Sequence, residues 1–309
     1  HRSLLRCSPQ VMACRFPMFG VLAGCYRRPM ATFLHDGLTF DYTDSGSGEP
    51  VVLLHGFPED AASWARVVSL LQDAGLRTIA PDQRGYSPGA VPPRRGDYTI
   101  DKLSGDVIAL LDALGLDRVH IVGHDWGGAV AWDLAARHPL RVASVVSLAT
   151  PHPLAMVWSY GRSRQLLRSW YMGLFQLPWL PERTSARVLE RTLRASGLNA
   201  GEARRLAARY AEPSALTGPM NWYRGLPLSQ LPTDPVVRVP TTFVWGRRDP
   251  YLGRAAAEKT VDFVAADYAF IELDAAHWLP QEQTEAVAAA VVARLGTGPL
   301  ASAPRPIEP

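Results

Sequence analysis

A chain of 309 residues, 47% hydrophobic and 20% charged, suits one large domain or a domain carrying an inserted subdomain, with apolar side chains enough for a core. A formal net charge of +3 is too small to argue for a nucleic-acid partner. Between Lys102 and the C-terminus no uninterrupted apolar run approaches the ~18 residues needed to span a membrane.

Apart from Lys102 and Lys259 the basic residues are arginine, the mark of a GC-rich, bacterial genome, and no binding function is read into them. Cys7, Cys14 and Cys25 stand within the first 25 residues, so no disulfide braces the remainder of the chain, which fits a reducing, cytoplasmic compartment. Residues 1–29 differ in character from the rest and read as an N-terminal extension, disordered or not native, with Met30 the start of the protein proper. Leu22-Ala23-Gly24-Cys25 also matches a lipoprotein cleavage box, and anchoring through Cys25 is the minor alternative.

Thr32 to His35 and Leu38 to Thr43 alternate like an antiparallel pair around an Asp36-Gly37 turn. Val51 to Leu54 is a wholly apolar strand, Ala61 to Leu71 a helix, and Arg77 to Ala80 another strand. Ile100, Leu103, Val107, Leu110, Leu111 and Leu114 share one helical face, with Thr99 placed to cap the helix and Gly115 to stop it. Val119 to Val122 and Val142 to Leu148 are buried strands, and a helix over Ala129 to Ala136 separates them. From Pro151 to about Pro235 the β/α alternation stops. This segment is helical, with eleven arginines against five acids, and reads as an inserted cap over 151–235. Strands resume at Thr241 to Trp245 and Tyr268 to Leu273, then a helix from Glu282 to Leu295 and a Pro-rich tail, 297–309, expected to be disordered. Apolar strands alternating with helices mean an α/β fold, a mostly parallel sheet covered on both faces, its core formed by 30–150 and 236–296.

Gly123-His124-Asp125-Trp126-Gly127 joins a strand to a helix as a G-x-D-x-G turn, the geometry that lifts its middle side chain above the sheet. That residue is Asp125, and a carboxylate there can displace a leaving group from an sp³ carbon and leave an ester on the enzyme. By itself the turn is also what any glycine-rich strand–helix junction shows. Phe57, Asp125, Asp249 and His277 all come just after strands, at the carboxyl edge where such sheets bind ligands.

With these residues in view, the chain from Ala31 to Leu295 resembles α/β-hydrolases of the epoxide hydrolase type (the soluble epoxide hydrolase family). That resemblance implies Asp125 as nucleophile, Asp249 in Trp245-Gly246-Arg247-Arg248-Asp249-Pro250 as the orienting acid, and His277 in Asp274-Ala275-Ala276-His277-Trp278 as the base. His55-Gly56-Phe57-Pro58 matches the oxyanion loop, which implies that the N–H groups of Phe57 and Trp126 form the hole. Gly218-Pro219-Met220-Asn221-Trp222-Tyr223-Arg224 and Ser169-Trp170-Tyr171-Met172-Gly173-Leu174-Phe175-Gln176 match the cap segments carrying two catalytic tyrosines, here Tyr223 and Tyr171. An epoxide oxygen leaves as an alkoxide and needs such donors.

The implied reaction takes a hydrophobic epoxide and water to a vicinal diol, with no cofactor and no metal. Phe57, Trp126, Met172, Phe175, Met220 and Trp222 are expected to line an apolar cleft, whereas Tyr160 and Tyr210 read as structural. Haloalkane dehalogenases, which share the aspartate elbow, are the alternative, but they need no tyrosine pair. The sequence leaves a homodimer open.

Overall fold

The computed structural model describes residues 30–183 and 186–296, so the extension over 1–29 and the tail over 297–309 lie outside the described residues. Eight strands form one sheet: β1 (Ala31–His35), β2 (Leu38–Ser45), β3 (Pro50–Leu54), β4 (Arg77–Pro81), β5 (Val119–His124), β6 (Val142–Leu148), β7 (Thr241–Gly246) and β8 (Tyr268–Leu273). Their order is β1-β2-β4-β3-β5-β6-β7-β8, antiparallel at β1/β2 and β2/β4 and parallel from β4 onward.

Helices connect the parallel strands: α1 (Ala65–Asp73), α2 (Ile100–Ala113) and α3 (Trp126–Arg137). Side chains on the inner strands alternate between two cores, as a pleat of period two requires. Val52, Leu54, Ile121 and Val145 pack with α2 and α3. Val51, Leu53, Val122 and Val146 face the other way, against α1 and a helix at the end of the domain. Each such fully buried aliphatic side chain contributes about 1.5–3 kcal/mol relative to exposure.

Between β6 and β7 the described residues insert six α-helices and three short 3₁₀ turns; the α-helices are α4 (Pro153–Tyr160), α5 (Gln165–Arg168), α6 (Trp170–Phe175), α7 (Ala186–Ala195), α8 (Ala200–Arg209) and α9 (Thr217–Gly225). The alternation then resumes with α10 (Arg254–Lys259) before β8, and α11 (Leu279–Glu282) and α12 (Thr284–Leu295) after it.

Five expectations need correction. The helix expected over Ala61 to Leu71 opens as a 3₁₀ turn, Ala61–Trp64, before α1. The helix after the elbow starts at Trp126, three residues earlier than its apolar pattern suggests, because Gly127 and Gly128 are helical. The final helix is broken at Gln283, whose backbone leaves the helical region (φ −132°, ψ 44°), and the Thr284 hydroxyl donates to the Pro280 carbonyl across the break. Thr99 holds the extended N-cap conformation, but its side chain makes no capping bond. Instead Ser229, at the exit of the insertion, accepts from the Ile100 N–H at 2.9 Å. Gly115 does stop α2, at φ 64°, with the Leu116 N–H reaching back to the Leu111 carbonyl at 2.9 Å. β8, at the sheet edge, is only half-buried, so the expectation of full cover holds for the inner strands alone.

Candidate active site

Asp125 stands between β5 and α3 at φ 50°, ψ −119°, a backbone region that costs a side-chain-bearing residue about 1–3 kcal/mol. The surroundings hold it there. The Thr150 hydroxyl donates to the Asp125 carbonyl at 2.7 Å, and the Asp125 N–H reaches Leu148 at 3.3 Å. The turn tolerates nothing larger than glycine: a Cβ on Gly127 would lie 2.0 Å from the Leu54 carbonyl oxygen, and one on Gly123 2.2 Å from that of Gly127. Strand, elbow and helix therefore touch backbone to backbone.

The Phe57 N–H donates to Asp125 Oδ1 at 2.8 Å. Asp125 Oδ2 lies 3.5 Å from His277 Nε2, and His277 Nδ1 donates to Asp249 Oδ2 at 2.8 Å. Asp249 is fully enclosed. Its Oδ1 accepts from the N–H groups of Tyr251 and Leu252 at 2.7 and 3.0 Å, so the turn-opening role common to Asp-Pro coexists with the bond to histidine. Trp126, expected to give the second N–H of an oxyanion pair, forms no hydrogen bond to the carboxylate among the described residues.

Charge is set by this packing. Burial opposes ionisation of Asp125, but the bond and charge of His277, the nearby His124 and the Phe57 N–H outweigh it and hold the carboxyl below its ordinary range. For His277 burial favours the neutral ring, yet Asp249 and Asp125 together raise its pKa well above the ordinary value. Burial first, with the Asp125 charge adding to it, pushes the phenols of Tyr171 and Tyr223 up, so both stay protonated as donors.

Both tyrosines come from the insertion, Tyr171 from α6 and Tyr223 from α9, and their ring centroids are 6.1 Å apart. With Asp125 they line one cavity of about 310 Å³. Trp126 and Met172 are on its wall as expected. Phe57 and Phe175 are not: their rings brace Tyr223, at centroid distances of 5.3 and 4.8 Å. Met220 and Trp222 are corrections. α9 is buried all round, Met220 faces the core, and the Trp222 indole donates to the Arg84 carbonyl at 2.7 Å. Tyr160, expected to be structural, lies on the cavity wall, whereas Tyr210 is a buried core residue.

Two further features escape a reading of the sequence. Tyr251, two residues after Asp249, sets its ring edge-on to His277 at 5.0 Å and to Tyr171 at 5.6 Å. Glu59, buried just beyond the oxyanion loop, accepts from the Gly56 N–H at 3.3 Å and from the Gln281 amide at 2.6 Å. It also bonds His124 Nδ1 at 2.7 Å, while His124 Nε2 reaches the His277 carbonyl at 2.9 Å. One buried carboxylate thus ties the oxyanion loop, the elbow and the histidine loop together. The only sequence signal is position: Glu59 and His124 abut the motif residues.

The model of the α/β-hydrolase fold family matches residues 49–283. The AB hydrolase superfamily protein YfhM of Bacillus subtilis is 35% identical over 260 residues, covering 80% of this chain and 91% of that one. Epoxide hydrolase A of Mycobacterium tuberculosis is 33% identical over 303 residues, covering 83% and 94%. Among solved structures, an epoxide hydrolase from hot-environment metagenomes superposes with a TM-score of 0.75 at 30% identity, covering 86% of this chain and 98% of its own. Epoxide hydrolase A of Mycobacterium thermoresistibile gives 0.74 at 28%, covering 87% and 98%. The chain belongs to the α/β-hydrolase fold family and, within it, to the epoxide hydrolases.

Proposed function

We infer that this protein hydrolyses a hydrophobic epoxide to a vicinal diol through an ester on Asp125. One observation carries the reading: a charged carboxylate on a strained elbow shares an apolar cavity with two protonated phenols, that of Tyr223 buried and that of Tyr171 half-buried. In the first step an Asp125 oxygen bonds to one epoxide carbon and that carbon–oxygen bond breaks. The departing oxygen takes a proton from Tyr171 or Tyr223, whose hydrogen bonds lower the barrier as negative charge grows. In the second step water attacks the ester carbonyl and His277 takes its proton, oriented by Asp249. The Phe57 N–H, joined by that of Trp126 once the oxyanion forms, stabilises the tetrahedral intermediate. Collapse frees the diol, and the histidine's proton restores the phenol.

The electrostatics support this order. Asp125 and Asp249 both favour the protonated His277. Esterification neutralises one of them, so the ring's pKa falls, its extra proton passes to solvent, and the neutral imidazole is a competent base at the step that needs one. The inserted helices act as the cap that supplies the acid. The cytoplasm is the proposed location, and no helix among the described residues is long and apolar enough to cross a membrane.

A single turnover with enzyme in excess in ¹⁸O-labelled water tests the covalent path. The first diol should be unlabelled at the added oxygen, and the label should appear in Asp125. Label in that first diol, with no ester accumulating in His277→Gln, would show direct attack by water. Halide release from haloalkanes with no diol from any epoxide would favour a dehalogenase instead.

A further inference from the structure

α5 and α6 run nearly end to end, joined at Ser169, whose N–H bonds the Gln165 carbonyl at 2.9 Å. One side of this stretch carries Gln165 and Ser169, both buried, and Tyr171 and Phe175 toward the site. The other side breaks the usual rule for a surface helix, which turns polar residues to water. Leu166, Leu167, Trp170, Leu174 and Leu177 recur at helical pitch within an arc of about 100°, and all are exposed, Leu167 at 71% and Trp170 at 68%. Trp179, 61% exposed, extends the face. Exposed apolar residues grouped this way mark a contact surface; a smaller group among the described residues, Leu226, Leu228 and Leu231, sits at the exit of the insertion, with Leu226 and Leu231 on the wall of the cavity.

The charge around the face identifies what it meets. No acidic residue occurs between Asp133 and Glu182, and Glu182 is buried against Arg224. Arg162, Arg164 and Arg183 flank the apolar stretch, and Arg162 and Arg183 lie over the Trp158 and Trp179 rings rather than against carboxylates. A second copy docking by two-fold symmetry would set this arginine rim against its own image, a like-charge contact. Apolar side chains with tryptophan inside a cationic rim suit an anionic lipid interface, where the apolar face enters the acyl boundary and arginines meet headgroups.

We propose that the outer face of α5–α6 docks on an anionic membrane surface. The consequence for catalysis rests on the epoxide hydrolase reading: α4 packs on α5, and Val157 of α4 is both exposed and part of the cavity wall, so an epoxide dissolved in lipid enters beside the docked face. The docking itself needs no such reading.

Flotation of the full chain with vesicles of phosphatidylcholine, alone or mixed with phosphatidylglycerol, tests it. The protein should float with the mixed vesicles, much less with the neutral ones, and less as salt rises. Leu167→Ser/Trp170→Ser should cut partitioning roughly tenfold or more. Arg162→Glu and Arg164→Glu should each cut it roughly fivefold or more. Turnover of a short, water-soluble epoxide should stay unchanged in the arginine variants. If the Leu167/Trp170 variant loses that turnover through misfolding, the arginine variants decide alone. No flotation, flotation indifferent to these substitutions, or sedimentation showing a dimer that Leu167→Ser/Trp170→Ser dissolves would overturn the proposal. Flotation by a protein inactive on every epoxide would leave docking standing and sink the catalytic reading instead.

Discussion

The floor of the site and its roof are built by opposite means. Below, every polar atom that matters is bonded: Asp125 to Phe57, His277 to Asp249, Asp249 to two backbone N–H groups, and Glu59 to three separate segments. Above, Tyr171 and Tyr223 are positioned chiefly by ring contacts with Phe57, Phe175, Trp126 and Tyr251. A bonded floor fixes charges to within tenths of an ångström, which nucleophilic attack requires. An aromatic roof restrains the rings by packing, and although the Tyr223 hydroxyl also hydrogen-bonds the Trp126 side chain, each phenol is held by fewer bonds than the carboxylates below. Floor substitutions should therefore abolish chemistry or unfold the domain, and roof substitutions should slow one step.

The largest effect belongs to Asp125→Ala, which should lower turnover about 10⁴-fold or more, the scale of losing a covalent nucleophile. His277→Gln should instead stop after the first step, and mass spectrometry should find the enzyme heavier by one substrate. Normal turnover by Asp125→Ala would remove the floor from the chemistry altogether.

Next comes Glu59→Leu. Removing this carboxylate strands the Gly56 N–H, the Gln281 amide and His124 in a closed interior, and should cost about 3–5 kcal/mol of stability. Burial opposes its ionisation, but His124 outweighs that and holds it below the ordinary 4.5. A depressed carboxyl contributes fully above its ordinary value, and the contribution fades as pH falls through the folded one. The stability gap between wild type and Glu59→Leu should then be constant near neutrality and narrow below about pH 4.5. Urea denaturation across that range measures it, and a gap that widened in acid would contradict the assignment.

Tyr171→Phe and Tyr223→Phe should each slow formation of the ester by the equivalent of about 1–3 kcal/mol, the worth of a hydrogen bond to developing charge. Stability and the second step should change little. Rapid-quench kinetics separates the two steps, and slowed ester hydrolysis with normal alkylation would place the tyrosines in the wrong half of the reaction.

The same division explains what could be read from the residues. The strands and the elbow turn are legible in local spacing, because a buried parallel strand and a glycine turn leave marks within ten residues, whereas the order of strands in the sheet is not, and the acid and base are proposed from resemblance. The tyrosine segments are legible by resemblance rather than by period. The lining is not, because Met220 and Trp222 lie on a helix buried on every side, where sequence gives no phase to tell cavity from core. Glu59 and His124, 65 positions apart, meet only through the sheet, and nothing local predicts their bond.

The smallest effect tests the seam between the two regions. Thr99 looks like the cap of α2, but the Ile100 N–H donates to Ser229 from the far end of the insertion. If that bond caps the helix, Ser229→Ala should cost about 1 kcal/mol, as for loss of a side-chain cap. Thr99→Val, which keeps the shape and removes only the hydroxyl, should stay within about 0.5 kcal/mol of wild type. Both values come from urea midpoints at unchanged slope. Because Ser229 also lies on the cavity wall, its removal loosens a point where the insertion is tied to the core, and the effect on ester formation should be small but measurable. Equal losses from the two substitutions would return the cap to Thr99 and leave the seam without this tie.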